Sequence, residues 1–213
     1  MATLRTFIAV PLPETVSGHL REVAASMAGA WDAGAVRWVH PGSMHLTLRF
    51  LGDTDPDVIP ALSAALQAGV SRMTAFQVTL AEACCIPGER RPRVIWVALA
   101  DPRGQLAALH RTVEHLVRTQ GFPRERRSFK PHLTLGRVRQ RAVVPARRWL
   151  QDPEPMPVPV REVHLIESRL KPSGAEYLTL ARGTLAGADT PASRERDQHT
   201  DSEHTDSEHT DSG

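Results

Sequence analysis

Residues 44–49 read Met-His-Leu-Thr-Leu-Arg, and residues 131–137 read Pro-His-Leu-Thr-Leu-Gly-Arg. Both stretches alternate polar and apolar side chains. In a strand, successive side chains point to opposite faces. His45 and Thr47 therefore share one face, as do His132 and Thr134. Leu46, Leu48, Leu133 and Leu135 take the other, which must be the core face. Each strand then presents an imidazole and a hydroxyl on a rigid element. A third His-x-Thr, His110-Arg111-Thr112, serves as a control. It falls in a stretch with helical spacing, where residues two apart diverge, so it is set aside.

Outward from these two stretches the pattern is mixed. Strands are predicted at Thr6–Val10, Val36–Val39, Met44–Leu51, Phe76–Ala83, Val94–Ala100, Phe129–Val138, Val158–Leu170 and Tyr177–Leu185. Helices are predicted from Pro13 to Gly29, Asp57 to Ala68 and Pro102 to Gln120, with a short one over Pro145–Leu150. Strands linked by short turns, with a few helices among them, predict an α+β fold. One His-x-Thr strand falls in each half. Two similar halves could set their motif strands near each other across a pseudo-twofold axis.

The end of the 213-residue chain is different. Residues 199–213 read HTDSE HTDSE HTDSG, with no apolar run from Gly187 onward. Such a segment cannot bury enough apolar surface to offset its ordering entropy. The expected organisation is one domain over 1–186 and a disordered acidic repeat tail over 187–213. The tail carries eight acids against two bases, so the chain's +2 conceals a domain of +8, from 24 bases against 16 acids. All of those bases except Lys130 and Lys171 are Arg, whose planar fork suits phosphate. The clusters Arg90, Arg91, Arg93 and Arg124, Arg126, Arg127 are candidate guides for RNA, or simply solvated loops. Cys84 and Cys85 are adjacent and form no CxxC spacing, which suits a reducing compartment. The start of the chain does not read as a signal peptide, and no stretch approaches 18 apolar residues. A cytoplasmic chain is expected.

Two imidazoles and two hydroxyls facing one cleft suit in-line attack on phosphorus. A neutral imidazole takes a proton from water, and a protonated one delivers a proton to the leaving oxygen. An ordinary pKa near 6.5 lets both forms coexist near neutrality. Thr47 and Thr134 can donate to phosphate oxygens. Arg49 shares the His45 face by simple alternation. Arg137, five residues beyond His132, reaches the cleft only if Gly136 introduces a bulge. His40, Trp38 and Phe7 are candidates for stacking a base, or core residues. Neither strand offers the spacing of a metal site.

At these residues the chain resembles the 2H phosphoesterase superfamily, and within it the RNA 2′,3′-cyclic phosphodiesterases, also called 2′-5′ RNA ligases. The matching pieces are RTFIAVPLP at the start, HLTLRFLG at 45–52, FKPHLTLGR at 129–137 and ESRLKPSGAEY at 167–177. The resemblance spans about residues 4–185. It implies a bilobal α+β fold, with two pseudo-symmetric halves of antiparallel strands, helices packed outside and a cleft between them. It implies no metal or nucleotide cofactor, and RNA with 2′,3′-cyclic phosphate ends as partner. It implies hydrolysis to a 2′-phosphate and reversible 2′-5′ joining. It also implies His45 as proton donor and His132 as proton acceptor, with Thr47, Thr134 and Arg137 binding substrate. Spacing alone leaves the two proton roles interchangeable. No membrane partner is expected, and the chain is expected to be a monomer. Two other readings stay open: a non-catalytic RNA-end or nucleotide binder, and a phosphodiesterase acting on small cyclic nucleotides.

Overall fold

The computed structural model describes residues 3–146, 148–171 and 174–187. The described residues form nine strands and three α-helices. They are β1 (Leu4–Pro11), α1 (Glu14–Ala28), β2 (Val36–Trp38), β3 (His45–Thr54), α2 (Ile59–Val70), β4 (Phe76–Ile86), β5 (Val94–Ala100), α3 (Gln105–Thr119), β6 (His132–Val138), β7 (Pro157–Val160), β8 (Glu162–Lys171) and β9 (Gly174–Thr184). The fold is α+β, as expected. Apart from Gly187, the predicted acidic tail lies outside the described residues.

All nine strands join one antiparallel sheet. Its order is β7-β4-β5-β6-β3-β1-β8-β9, with β2 added alongside β6. The two motif strands, β3 and β6, are neighbours at its centre. One lobe is β1, β3, β8 and β9; the other is β4, β5, β6 and β7 with β2. The lobes are not consecutive halves of the chain, because β8 returns to pair with β1, setting Phe7 against Ile166.

The predicted single strand Val158–Leu170 is in fact two. β7 pairs with β4 at one end of the sheet, and β8 pairs with β1 near the other. Only Arg161 separates them. One residue spans little more than 3 Å, so the sheet must curl until its two ends meet. Two backbone bonds close the gap: Leu185 N–H donates to the Arg161 carbonyl at 2.8 Å, and Ala75 N–H to that of Ala186 at 2.8 Å. The predicted helix over Pro145–Leu150 does not form in the described part of that stretch. Trp149 is instead buried edge-on against Trp31, ring centres 5.0 Å apart. Tertiary packing here outweighs a weak local helical pattern.

The helices cover the sheet crosswise. α1 follows β1 in sequence yet packs on β6 of the other lobe, while α3 follows β5 and packs on β3. Asp101 starts α3 by accepting from the Gln105 and Leu106 N–H groups at 2.8 and 2.9 Å, which satisfies donors a helix N-terminus otherwise leaves unpaired. Leu46, Leu48, Leu133 and Leu135 point into one core shared with Leu20 of α1, Leu66 of α2 and Leu109 of α3. Burying the leucines of both motifs in the same core locks their polar faces outward. Truncating one such leucine to Ala costs about 2–5 kcal/mol.

Candidate active site

β3 and β6 touch at a single register pair, Leu46 against Leu133, and then splay apart. Continuing that antiparallel register by one residue each way sets His45 beside Thr134 and Thr47 beside His132. The two His-x-Thr pairs are thus related by a local twofold through the leucines. All four polar side chains line one cleft of about 810 Å³.

Each histidine is the first residue of its strand, and the chain just before it supplies a carbonyl. His45 Nδ1 lies 2.8 Å from the Ser43 carbonyl, and His132 Nδ1 lies 2.7 Å from that of Lys130. A carbonyl can only accept, so Nδ1 carries the proton in both rings. In the neutral ring Nε2 is then a bare lone pair that can take a proton, and in the charged ring it holds the proton that can be given. Two symmetric contacts therefore fix both tautomers and leave both Nε2 atoms without a described partner.

The surroundings of the two rings differ. His45 packs on Phe7, ring centres 4.8 Å apart, and meets the edge of Tyr177 at 5.3 Å. Phe7 and Tyr177 also touch each other, at 5.3 Å. Burial in this cage holds the His45 pKa below its ordinary 6.5. The Ser43 carbonyl opposes the shift, and the charge of His132 adds to it. His132 has one aromatic neighbour, Trp96, edge-on at 5.4 Å.

Beyond each second leucine the strand bulges. β6 gains a residue opposite β5, where Ile95 pairs with Gly136 but Trp96 pairs with Thr134. The extra residue brings Arg137 back to the cleft face, as the glycine predicted. Gly136 itself is squeezed: a Cβ there would lie 2.8 Å from Val36 and 2.9 Å from Trp38 of β2. β3 does the same opposite β1, where Ile8 pairs with Arg49 but Ala9 pairs with Thr47. This bulge overturns the expectation for Arg49. Its side chain turns to the helix side and is buried, meeting Glu114 of α3 at 2.8 Å and Glu125 at 3.1 Å. Its guanidinium also donates to the Phe50 and Pro123 carbonyls. Phe50 takes the cleft position instead and is 62% exposed.

A model of the 2′-5′ RNA ligase superfamily matches residues 9–172. The chain belongs to this superfamily. Among similar proteins, an RNA 2′,3′-cyclic phosphodiesterase of Thermus thermophilus is 33% identical over 86% of this chain and 91% of its own. One from Methanothermobacter thermautotrophicus is 29% identical over 82% and 95%. In structure, the chain resembles a crystal structure of TT0787 from Thermus thermophilus, with a TM-score of 0.72 and 28% identity over 87% of this chain and 100% of that one. It also resembles Escherichia coli LigT complexed with 3′-AMP, with a TM-score of 0.69 and 27% identity over 86% and 98%.

As a 2H phosphoesterase, the chain brings its other predicted residues together unevenly. Phe7, Trp38 and His40 all line the cleft. The two arginine clusters do not: Arg90, Arg91, Arg93, Arg124, Arg126 and Arg127 are exposed away from it. The third His-x-Thr lies on α3, where His110 stacks on Phe129 at 4.2 Å. Several cleft residues were not singled out from sequence: Arg5, Arg37, Phe50 and Tyr177. Tyr177 was within reach, since it ends the matching stretch ESRLKPSGAEY. Among the described residues, no group of three or more His, Cys, Asp or Glu side chains gathers as a metal site. No described helix is long and apolar enough to cross a membrane.

Proposed function

We propose that this chain hydrolyses RNA 2′,3′-cyclic phosphate ends to 2′-phosphates. His132 takes the proton of the attacking water, and His45 gives a proton to O3′ as the P–O3′ bond breaks. The observation that carries the reading is the pair of imidazoles with Nδ1 tied back and Nε2 open on one cleft. Binding alone has no need of two such matched proton carriers. The curated relatives bear the name RNA 2′,3′-cyclic phosphodiesterase.

Burial favours the neutral form of His45 in the free site. A bound phosphodiester anion beside it favours the imidazolium and raises that pKa again, which is the direction a proton donor needs. Thr47 and Thr134 donate to the non-bridging oxygens, and Arg137 balances the charge that builds on them. A 5′-hydroxyl in place of water would form a 2′-5′ linkage by the same two proton transfers, which is the joining reaction.

The test is an oligonucleotide ending in a 2′,3′-cyclic phosphate, with the product separated into 2′- and 3′-phosphates. A 2′-phosphate is expected. A 3′-phosphate product, or turnover that persists in the His45→Ala/His132→Ala double variant, would sink the reading.

A further inference from the structure

Arg37 and Arg137 are register partners across β2 and β6, so they share the cleft face, and both side chains are exposed there. Like charges placed directly opposite destabilise a strand pair. No described carboxylate forms an ion pair with either one. The other lobe handles a cleft arginine differently: Arg5 of β1 stands directly opposite Asp53 of β3, and both line the cleft. The cleft is therefore positive and unbalanced at its β2–β6 end and balanced at its β1–β3 end. Arg137 lies four strand steps past His132 once the bulge is discounted, roughly 13 Å of backbone, within the combined reach of the two side chains with a phosphate held between them. Arg37 stands one strand further out. Two arginines exceed the need of one reacting phosphate.

We propose that Arg37 binds the phosphodiester on the 5′ side of the terminal nucleotide, making this a site for RNA chains rather than mononucleotides. The assignment rests on the phosphodiesterase reading above: Arg137 serves the reacting phosphate, and Arg37 the next one back. The RNA then leaves the cleft over β2, away from Arg5 and Asp53.

Three substrates test it: a nucleoside 2′,3′-cyclic phosphate, a dinucleotide with the same end, and that dinucleotide with an uncharged methylphosphonate linkage. In the wild type, kcat/KM for the charged dinucleotide should exceed the other two by about ten-fold, the scale of one charge-assisted contact. Arg37→Ala should collapse that ratio toward one, and Arg37→Lys should keep part of it. The salt dependence of dinucleotide binding should fall by about one counterion in Arg37→Ala. Dissociation constants of the three 2′-phosphate products give the same ratios without turnover. An inactive wild type whose product affinities still follow Arg37 would therefore refute the catalytic reading and keep this one. A wild-type ratio of one, a methylphosphonate as good as the phosphate, or a ratio untouched by Arg37→Ala would overturn it.

Discussion

β3 and β6 open with the same four residues, bulge at the same place, and then part company. After His-Leu-Thr-Leu, β3 continues with Arg49 and Phe50, and β6 with Gly136 and Arg137. The bulges send the first residue of each pair to the helix side and the second to the cleft. On β3 a buried arginine anchors α3 and an aromatic faces the cleft. On β6 a glycine admits β2, and an arginine faces the cleft. The repeated part sets the paired imidazoles and hydroxyls on the cleft, while the divergent part places an aromatic on one wall and an arginine on the other. A symmetric scaffold thus presents two chemically different walls.

The sharpest way to break the comparison is to remove each histidine alone. His45→Ala and His132→Ala should each lower kcat by about 10²–10⁴-fold, and the double variant should be little worse than the worse single one. Single-turnover rates on a cyclic-phosphate oligonucleotide read this. Additive losses would mean that the rings do not act as one unit. Next in size is Arg49→Ala, which strands Glu114 and Glu125. A loss of about 3 kcal/mol in urea unfolding is expected. Arg137→Ala should leave stability within about 0.5 kcal/mol, because the side chain is exposed. It should cut kcat/KM about ten-fold or more.

Tyr177→Ala gives a smaller and more diagnostic change. It opens the aromatic cage and should let the His45 pKa climb back toward its ordinary value. If His45 is the proton donor, the alkaline limb of the kcat/KM profile moves to higher pH. Movement of the acid limb instead would reverse the two proton roles. The mildest effect is on the fold itself. Burial lowers the pKa of His45, His110 and His164, so protonation favours the unfolded chain. Stability should be full above about pH 6.5 and decline as pH falls below it. Thermal melts between pH 8 and 5 check the sign, and a midpoint that rises on acidification contradicts it.

Alternation alone made the motif faces legible, because a strand period of two leaves no freedom in where His45, Thr47, His132 and Thr134 point. The bulge in β6 was legible too, since Gly136 marks it. The bulge in β3 was not. No glycine or proline signals it, so simple alternation put Arg49 on the wrong face and missed Phe50. The break at Arg161 was hidden because Val158, Val160, Val163 and Leu165 read as one apolar run, and only the pairing partners separate β7 from β8. Arg37 and Tyr177 reach the cleft through long-range strand pairing, which local patterns do not encode.

The return of β8 to β1 bears on how the protein is made. Phe7, beneath His45, is synthesised well before its partner Ile166 and its neighbour Tyr177. Until they arrive, β1 has an open edge and His45 has only half its cage. Contacts this distant in sequence form slowly. The nascent chain therefore carries both histidines before it has a finished cleft, and the step that closes the sheet is also the step that buries His45.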